Sequence, residues 1–268
     1  MAEQTVGRAR LEEDSVADKP TVALGIDIGG SGIKGAPVDL VTGEFLEDRV
    51  KIATPAKSTP EAVAEIVGQI AKQFLATLPA DAPIGVTIPG IVRHGVVKSA
   101  ANIDKSWMNC DGEKLFSETL GRHVHLVNDA DAAGVAELRY GAAKGKDGLV
   151  ILTTLGTGIG IALLYDGVLI PNAELGHLQL NGYDAETRAA ASAKDREGLS
   201  YEEWATQRLQ PYYSFLEFLF SPDLFVVGGG VSRKADKFLP LLKLETPIIA
   251  ATLKNAAGII GAAALATG

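Results

Sequence analysis

The chain has 268 residues, of which 47% are hydrophobic and 22% charged, and its formal net charge is −8. This length is sufficient for one large hydrophobic core or two smaller ones, and the acidic balance argues against broad binding of nucleic acids or anionic membranes. The single cysteine, Cys110, excludes a disulfide framework and a cysteine-rich zinc site within one chain. We therefore expect a cytoplasmic globular protein that holds any small anionic substrate in a locally positive pocket.

The two ends of the chain give no indication of export or membrane insertion. Residues 1–20 lack the apolar segment of a signal peptide and predict a flexible tail. The apolar stretch AAGIIGAAALA, at residues 256–266, is too short to cross a bilayer.

The first half of the chain predicts the order βββαβαβα. Thr59 as N-cap and Pro60 in the first helical position predict the start of the first helix, and Gly141 predicts the end of the last one. The predicted strands are residues 21–28, 33–40, 44–53, 83–88 and 123–128, and the two later helices are residues 112–120 and 130–140.

The second half repeats this order. Ser200 and Glu203 form a capping box that opens a helical region through Phe220, with a kink expected at Pro211. The segments DIGGSGIKGA (27–36) and TTLGTGIGIA (153–162) align without gaps, as expected for a duplicated domain. The predicted strands are residues 148–155, 159–165, 168–171, 224–228 and 247–251, and the predicted helices after residue 220 are 232–239 and 254–266.

Gly30, Gly32 and Gly35 match the spacing GxGxxG of dinucleotide-binding proteins. That motif requires a helix after its glycines, whereas a strand follows here, and no Gly-Lys-Ser/Thr completes a Walker A motif. The pattern instead predicts a hairpin whose bare backbone N–H groups bind phosphate, with a second such hairpin in the other half. The predicted phosphate-binding residues are Gly29, Gly30, Ser31, Gly32 and Lys34 in the first hairpin and Thr154, Gly156, Thr157 and Gly158 in the second.

Asp27 is a carboxylate within an apolar strand, next to the first glycine-rich turn. A charge in such a strand is costly unless a partner compensates it, and Mg²⁺ bound through water is one such partner. The alternative is a structural aspartate that accepts hydrogen bonds from the turn amides.

Five segments together resemble the sugar kinases of the ROK family, within the actin–hexokinase superfamily. They are GIDIGGSGIKG (25–35), VNDADAAGVAE (127–137), LGTGIGIA (155–162), ELGH (174–177) and VVGGGVS (226–232). The resemblance runs from about Thr21 to the C-terminus. It implies an α/β fold with two ribonuclease-H-like domains around a cleft: residues 21–140, residues 141–253, and a C-terminal helix at 254–268 that packs back on the first domain.

The resemblance also implies an activity. The expected reaction, with Mg²⁺, transfers a phosphoryl group from inorganic polyphosphate, or from ATP, to the 6-hydroxyl of glucose, with mannose as a further acceptor and a homodimer as the assembly. Two alternatives stay open, a strictly ATP-dependent kinase of another hexose and a non-catalytic sugar-sensing protein. Binding of nucleic acid or membranes is not expected.

The family motifs assign roles to individual residues. Asp129 is the base by resemblance; from the residues alone it could merely cap the following helix, and Asp131 could do similar work. Gly228, Gly229 and Gly230 face the adenosine of a nucleotide by resemblance, or only form a close strand–helix turn. The residues implied to contact sugar are Gly90, Asn102, Asn128, Asp129, Glu174 and His177.

The segment after ELGH departs from the family pattern. Most members carry a cysteine-rich zinc motif there, but this segment has no cysteine, so no zinc is expected. A second sugar-binding glutamate normally follows the motif, and the candidates for it here are Glu186 and Glu197. Further cations near the predicted cleft are Arg93, Lys98 and Lys105, and His123 and His125 are interpreted as structural.

Overall fold

The structure is a computed structural model that describes residues 20–100 and 103–267; the predicted tail at 1–20 lies almost wholly outside them. The strands are β1 (Val22–Gly29), β2 (Gly32–Asp39), β3 (Val50–Ile52), β4 (Ile84–Ile88), β5 (Val92–Arg93), β6 (Val96–Val97), β7 (His125–Asn128), β8 (Leu149–Leu155), β9 (Ile159–Tyr165), β10 (Val168–Ile170), β11 (Gln179–Leu180), β12 (Tyr183–Asp184), β13 (Leu224–Gly228) and β14 (Ile248–Ala250). The α-helices are α1 (Pro60–Phe74), α2 (Gly112–Leu120), α3 (Asp129–Tyr140), α4 (Glu186–Ala189), α5 (Ala191–Glu197), α6 (Tyr201–Trp204), α7 (Gln210–Phe220) and α8 (Ala257–Leu265).

Two five-stranded sheets share one topology. Their strand orders are β3-β2-β1-β4-β7 and β10-β9-β8-β13-β14. In each sheet the first three strands are antiparallel to their neighbours in a meander, and the remaining two run parallel to the central strand. The same order in both halves agrees with the duplication predicted from the two hairpin segments.

Helices α3 and α8 pack side by side between the two sheets. Helix α8 lies against β1 and β4 of the first sheet, and α3 lies against β9 of the second. The approach depends on glycine: a Cβ on Gly25 or Gly85 would overlap the α8 backbone, and one on Gly261 would overlap the α3 backbone. Short side chains therefore let the carboxyl ends of the strands from both sheets converge on one cleft.

The outer faces of the sheets are covered by separate hydrophobic cores. The first core joins the first sheet to α1 and α2 and includes the fully buried Trp107 and Phe116. The second joins the second sheet to the helices between residues 186 and 220 and includes Trp204 and Tyr213. In the described residues, no helix has both the length and the apolar character needed to cross a membrane.

Two predicted elements of regular structure were wrong in extent or type. The strand predicted at 44–53 is only β3, because Phe45 makes a single bridge to Val38 and residues 46–49 are exposed. The helix predicted at 232–239 is a 3₁₀ helix at Gly230–Lys237 with non-helical backbone at Lys234.

The helical region after Ser200 has its predicted ends, and its regular hydrogen bonding is interrupted just before Pro211. Both halves of the Ser200–Glu203 capping box are formed, and the last residue is Phe220. The irregularity lies in a π-helical turn at Ala205–Leu209, before Pro211, which sits in the first turn of α7. In the first turn of a helix the backbone N–H has no acceptor within that helix, so the N–H that proline lacks is not missed there.

Candidate active site

A cleft of about 180 Å³ lies where the carboxyl ends of strands from both sheets meet. The first sheet contributes Asp27 from the end of β1 and Asp129 directly after β7, and the second contributes Thr154 from β8 and Gly228 from β13. The carboxyl edge of parallel strands is the usual ligand site of α/β proteins. The cleft thus collects polar groups from four strands and has both aspartates on one wall.

Asp27 is held by two side chains. Thr87 in β4 donates its hydroxyl to Asp27 Oδ1 at 3.0 Å, and Lys34 Nζ lies 3.3 Å from Asp27 Oδ2. Lys34 is the residue directly opposite Asp27 in the β1–β2 pairing. The carboxylate is therefore compensated by a lysine and stays partly open to the cleft, which differs from a purely structural aspartate bonded to the turn amides.

Asp129 is the first residue of α3, and Asn128 before it is the N-cap. Asn128 Oδ1 accepts from the backbone N–H of Ala130 at 2.8 Å and of Asp131 at 3.0 Å. The N-cap is therefore Asn128, and Asp129 Oδ1 also accepts from the Ala130 N–H at 2.9 Å. Burial, and next the nearby Asp27 carboxylate, raise the pKa of Asp129 to about 7.

The tips of the two hairpins are exposed. Gly30, Ser31 and Thr157 are open to solvent, and only Lys34 and Thr154 of the predicted phosphate-binding residues line the walled part of the cleft. Behind the second tip, Ser192 Oγ donates to the carbonyl of Thr157 at 2.6 Å. This bond and the one from the Gly156 N–H to the Gly158 carbonyl at 2.9 Å hold the second turn in place.

Glu174 and His177 come together in a 3₁₀ turn that follows β10. His177 Nε2 lies 3.8 Å from Glu174 Oε2, and His177 Nδ1 lies 2.8 Å from Asp184 Oδ2. The hydrogen bond to Asp184 is the main cause that raises the pKa of His177, and burial raises the pKa of Glu174. Asp184 thus fixes the tautomer and orientation of the histidine ring.

The structure separates the two candidate glutamates. Glu186 Oε2 accepts from the backbone N–H of Ile159 at 2.7 Å, and its charge acts on both Glu174 and His177. Glu197 instead forms an exposed ion pair with Arg208 at 3.1 Å. Only Glu186 therefore shares a neighbourhood with the second glycine hairpin and the ELGH turn.

Some of the remaining predicted residues line the cleft and others do not. Gly228, Gly229 and Gly230 line the cleft opposite Asp129, whereas Arg93, Lys98 and Lys105 do not. The carbonyl of Gly90 accepts from Asn128 Nδ2 at 3.1 Å. Asn102 lies outside the described residues.

Sequence reasoning missed three residues that shape the site. Thr87 orients Asp27, Asp184 orients His177, and the buried carboxylate of Glu137 accepts from the backbone N–H groups of Thr252 and Leu253 at the cleft rim. Thr87 had a weak signal, because it is the only polar residue in β4. In the described part of the chain, no three His, Cys, Asp or Glu side chains cluster as a metal site.

The twin sheets and the cleft at their strand ends define an actin/hexokinase-like α/β protein with ribonuclease-H-like halves. Within this class the chain belongs to the ROK family, whose family model matches residues 23–197.

Three relatives illustrate this similarity. The chain is 50% identical over 241 residues to the polyphosphate glucokinase of Mycobacterium tuberculosis. This match covers 90% of this chain and 89% of that protein. The crystal structure of inorganic polyphosphate/ATP-glucomannokinase from an Arthrobacter species superimposes with a TM-score of 0.87 at 55% identity, over 92% of this chain and 98% of that one. A ROK family glucokinase from Streptomyces griseus, solved with glucose and AMPPNP, superimposes with a TM-score of 0.77 at 25% identity. The match covers 91% of this chain and 98% of that one.

Proposed function

We propose that this chain transfers the terminal phosphoryl group of inorganic polyphosphate to the 6-hydroxyl of glucose, giving glucose 6-phosphate. ATP is proposed as a second donor and mannose as a second acceptor. The relatives named polyphosphate glucokinase and polyphosphate/ATP-glucomannokinase support this reaction, since both are at least 50% identical over about nine-tenths of the chain. The observation that carries the proposal is that Asp27, Lys34 and Asp129 line one cleft.

Asp129 is the proposed base. As the 6-oxygen of the sugar attacks the terminal phosphorus, the bond between that phosphorus and the bridging oxygen of the donor breaks. The hydroxyl proton passes to a carboxylate oxygen of Asp129. A pKa of about 7 suits this role, because a base works best when its pKa lies near the operating pH.

Asp27 fits the proposed Mg²⁺ site. Mg²⁺ is usually bound through one or two carboxylates, several waters and the phosphates of the substrate, and Asp27 offers a partly open carboxylate oriented by Thr87. When bound, the ion neutralises charge on the phosphates. No zinc is expected, as predicted from the missing cysteines.

The hairpin tips are the proposed phosphate cradle. Their exposed N–H groups and the hydroxyls of Ser31 and Thr157 suit a phosphate chain of any length, and Lys34 together with Lys254 at the cleft rim supplies positive charge. Gly228, Gly229 and Gly230 form the wall that a nucleotide donor would use. Since a polyphosphate chain needs only the cradle, the same site serves both donors.

The sugar is proposed to lie between the Gly90–Asn128 wall and the Glu174–His177 turn. Asn128 Nδ2 has a second hydrogen beyond the one donated to Gly90, and Asn102 is proposed to complete this wall. Glu186 is the proposed second sugar-binding glutamate, because it neighbours both Glu174 and His177.

The wider organisation is part of the same proposal. Residues 21–140 and 141–253 are the proposed domains, with 254–268 packing on the first, and their closure would exclude water from the transferred phosphoryl group. A cytoplasmic location is supported by the single cysteine. A homodimer is proposed from the family resemblance and is tested by light scattering on the purified protein.

A donor and acceptor panel tests the proposal. The protein is supplied with Mg²⁺, either polyphosphate or ATP as sole donor, and either glucose or mannose. We expect hexose 6-phosphate with polyphosphate and a lower rate with ATP. Turnover with ATP alone would contradict the donor assignment, and glucose binding without turnover would indicate a sensing protein.

A further inference from the structure

Asn172 forms a bridge between the two halves of the chain. It follows β10 and adopts a left-handed backbone conformation, with φ of 61°. The backbone N–H of Val92 donates to Asn172 Oδ1 at 2.8 Å, and Asn172 Nδ2 donates to the carbonyl of Val92 at 2.8 Å. The side-chain amide thus pairs with Val92 as a strand backbone would, although the residues are 80 positions apart.

The backbone of Asn172 is held as well. Its N–H donates to Asp131 Oδ2 at 2.8 Å. Asp131 is only 2% exposed, and its other carboxylate oxygen has no hydrogen-bond partner among the described residues. A buried carboxyl with a single partner is costly. Removing the Asn172 contact would leave Asp131 without any of its hydrogen bonds, so the three residues form one unit.

The bridge ends two residues from each wall of the proposed sugar site. Val92 is two residues after Gly90, whose carbonyl contacts Asn128. Asn172 is two residues before Glu174, which starts the turn that carries His177. Since two residues of chain span at most about 7 Å, the bridge sets an upper limit on the distance between Glu174 and the Gly90 wall.

We infer that Asn172 is a positioning residue for sugar recognition, acting through the Val92 and Asp131 contacts to hold Glu174 and His177 against the opposite wall. The inference rests on the proposed function. The donor cradle at the two hairpin tips does not depend on this bridge, because Asn172 contacts neither β1–β2 nor β8–β9 through a hydrogen bond. Loss of the bridge should therefore weaken use of the sugar and spare use of the donor.

Asparagine meets two requirements at this position. It tolerates the left-handed conformation better than most residues, and its amide both donates and accepts. Glycine keeps the backbone freedom and removes only the bridge. Asn172→Gly is thus the informative variant, and Asn172→Asp keeps the bond from the Val92 N–H but loses the one to its carbonyl.

Asn181 provides a matched control. It is also an asparagine with positive φ, at 53°, in the exposed turn between β11 and β12. Its side chain makes no hydrogen bond to any of the residues that the structure describes. Asn181→Gly is therefore the same substitution at a position of similar backbone conformation, and it breaks no bridge.

The test measures the KM of glucose, the KM of polyphosphate and kcat for the full-length wild type and the three variants. We expect Asn172→Gly to raise the KM of glucose about tenfold, corresponding to the loss of well-placed polar contacts, while the KM of polyphosphate stays within about twofold. Asn172→Asp should fall between it and the wild type, and Asn181→Gly should match the wild type.

Two results would overturn the inference. One is an Asn172→Gly protein whose KM of glucose matches that of Asn181→Gly. The other is an equal rise in both KM values together with a lower melting temperature, which would indicate general destabilisation. A wild type that phosphorylates no hexose would instead overturn the proposed function, and the positioning role with it.

Discussion

The two glycine-rich hairpins align without gaps in sequence but differ in geometry. The turn between β1 and β2 has two residues, because Gly29 pairs with Gly32, whereas the turn between β8 and β9 has three, because Leu155 pairs with Ile159. The ungapped alignment sets Asp27 against Thr153. In the structure Thr153 is fully buried with its hydroxyl 2.6 Å from that of Tyr213, and Thr154 lines the cleft.

This difference goes with the different roles that we propose for the two hairpins. The first hairpin presents the ion pair of Asp27 and Lys34 to the cleft, and the second presents a neutral threonine. Both halves keep the same strand order, and both hairpin tips are proposed to bind phosphate. Only the first half adds the carboxylate of the proposed metal site. Variants at corresponding positions should therefore have very unequal effects.

The largest effect is expected from Asp27→Asn. Without the carboxylate the proposed Mg²⁺ site loses its protein ligand, and since a metal supplies several kcal/mol of transition-state stabilisation, kcat should fall on the order of 1000-fold. The measurement is kcat as a function of Mg²⁺ concentration. Thr153→Val, at the aligned position of the second half, is the control and should keep kcat within about twofold while losing about 1 kcal/mol of stability. Equal losses of kcat in both variants would refute the division of roles.

Acidic pH is the next largest perturbation. Asp129 must be ionised to accept a proton, and its pKa is about 7, so kcat/KM for glucose should fall about tenfold for each pH unit below 7. Asp131 also has a pKa raised to about 7, mainly by burial. The fall in kcat/KM below pH 7 should persist in the Asp131→Asn variant. If the fall is absent in that variant, the group that titrates is Asp131.

Stability should follow pH in the opposite direction to activity. The folded protein keeps a proton on Asp129 where the unfolded chain has released it, so the folded state loses stability as the pH rises from about 4 to 7. The melting temperature in EDTA should fall on the order of 5 °C over this range. Asp131, whose pKa is also raised to about 7, contributes in the same direction, so Asp129→Asn should reduce the slope of this curve by roughly half and leave the rest.

A smaller effect is expected in the second half from Glu186→Gln. Glu186 is proposed to bind the sugar, and replacing one charged hydrogen-bonding group should raise the KM of glucose about tenfold. Glu197→Gln is the matched control, because Glu197 pairs with Arg196 and Arg208 on the surface and such exposed pairs contribute about 1 kcal/mol or less to stability. If the two variants reversed these effects, Glu197 would be the sugar ligand.

The smallest effect is expected from Thr154→Val. Its hydroxyl is a neutral donor in the cleft, and the backbone N–H groups of the turn remain in place. The KM of polyphosphate should therefore rise about threefold with little change in kcat. A loss as large as that of Asp27→Asn would show that the two hairpins are functionally equivalent after all.

The sequence predicted those parts of the site that depend on local chain geometry. Asp27 and Asp129 were correctly expected near strand ends, and Thr59 caps α1 as predicted, accepting from the N–H of Ala62. Local patterns suffice here because caps, turns and strand ends involve neighbours within four residues.

The contacts that orient the site were not predictable in this way. Thr87 is 60 residues from Asp27, and Asn172 is 41 residues from Asp131. The first pair is set by the parallel pairing of β1 with β4, in which Asp27 lies opposite Thr87, and the second by the contact of α3 with the segment after β10. No local pattern predicts either arrangement. The same limit explains the overlong third strand, since residues 44–49 do not pair with β2 beyond the single Phe45–Val38 bridge.

The central claim is that Asp129 takes the proton from the sugar during transfer from polyphosphate. The most direct measurement is a single-turnover assay of glucose 6-phosphate formation at pH 8, with polyphosphate as sole donor, for the wild type and Asp129→Asn. The account predicts a wild-type burst and a decrease on the order of 1000-fold in the variant, with glucose still bound. A variant that forms product within about tenfold of the wild-type rate would contradict the assignment of Asp129 as the base.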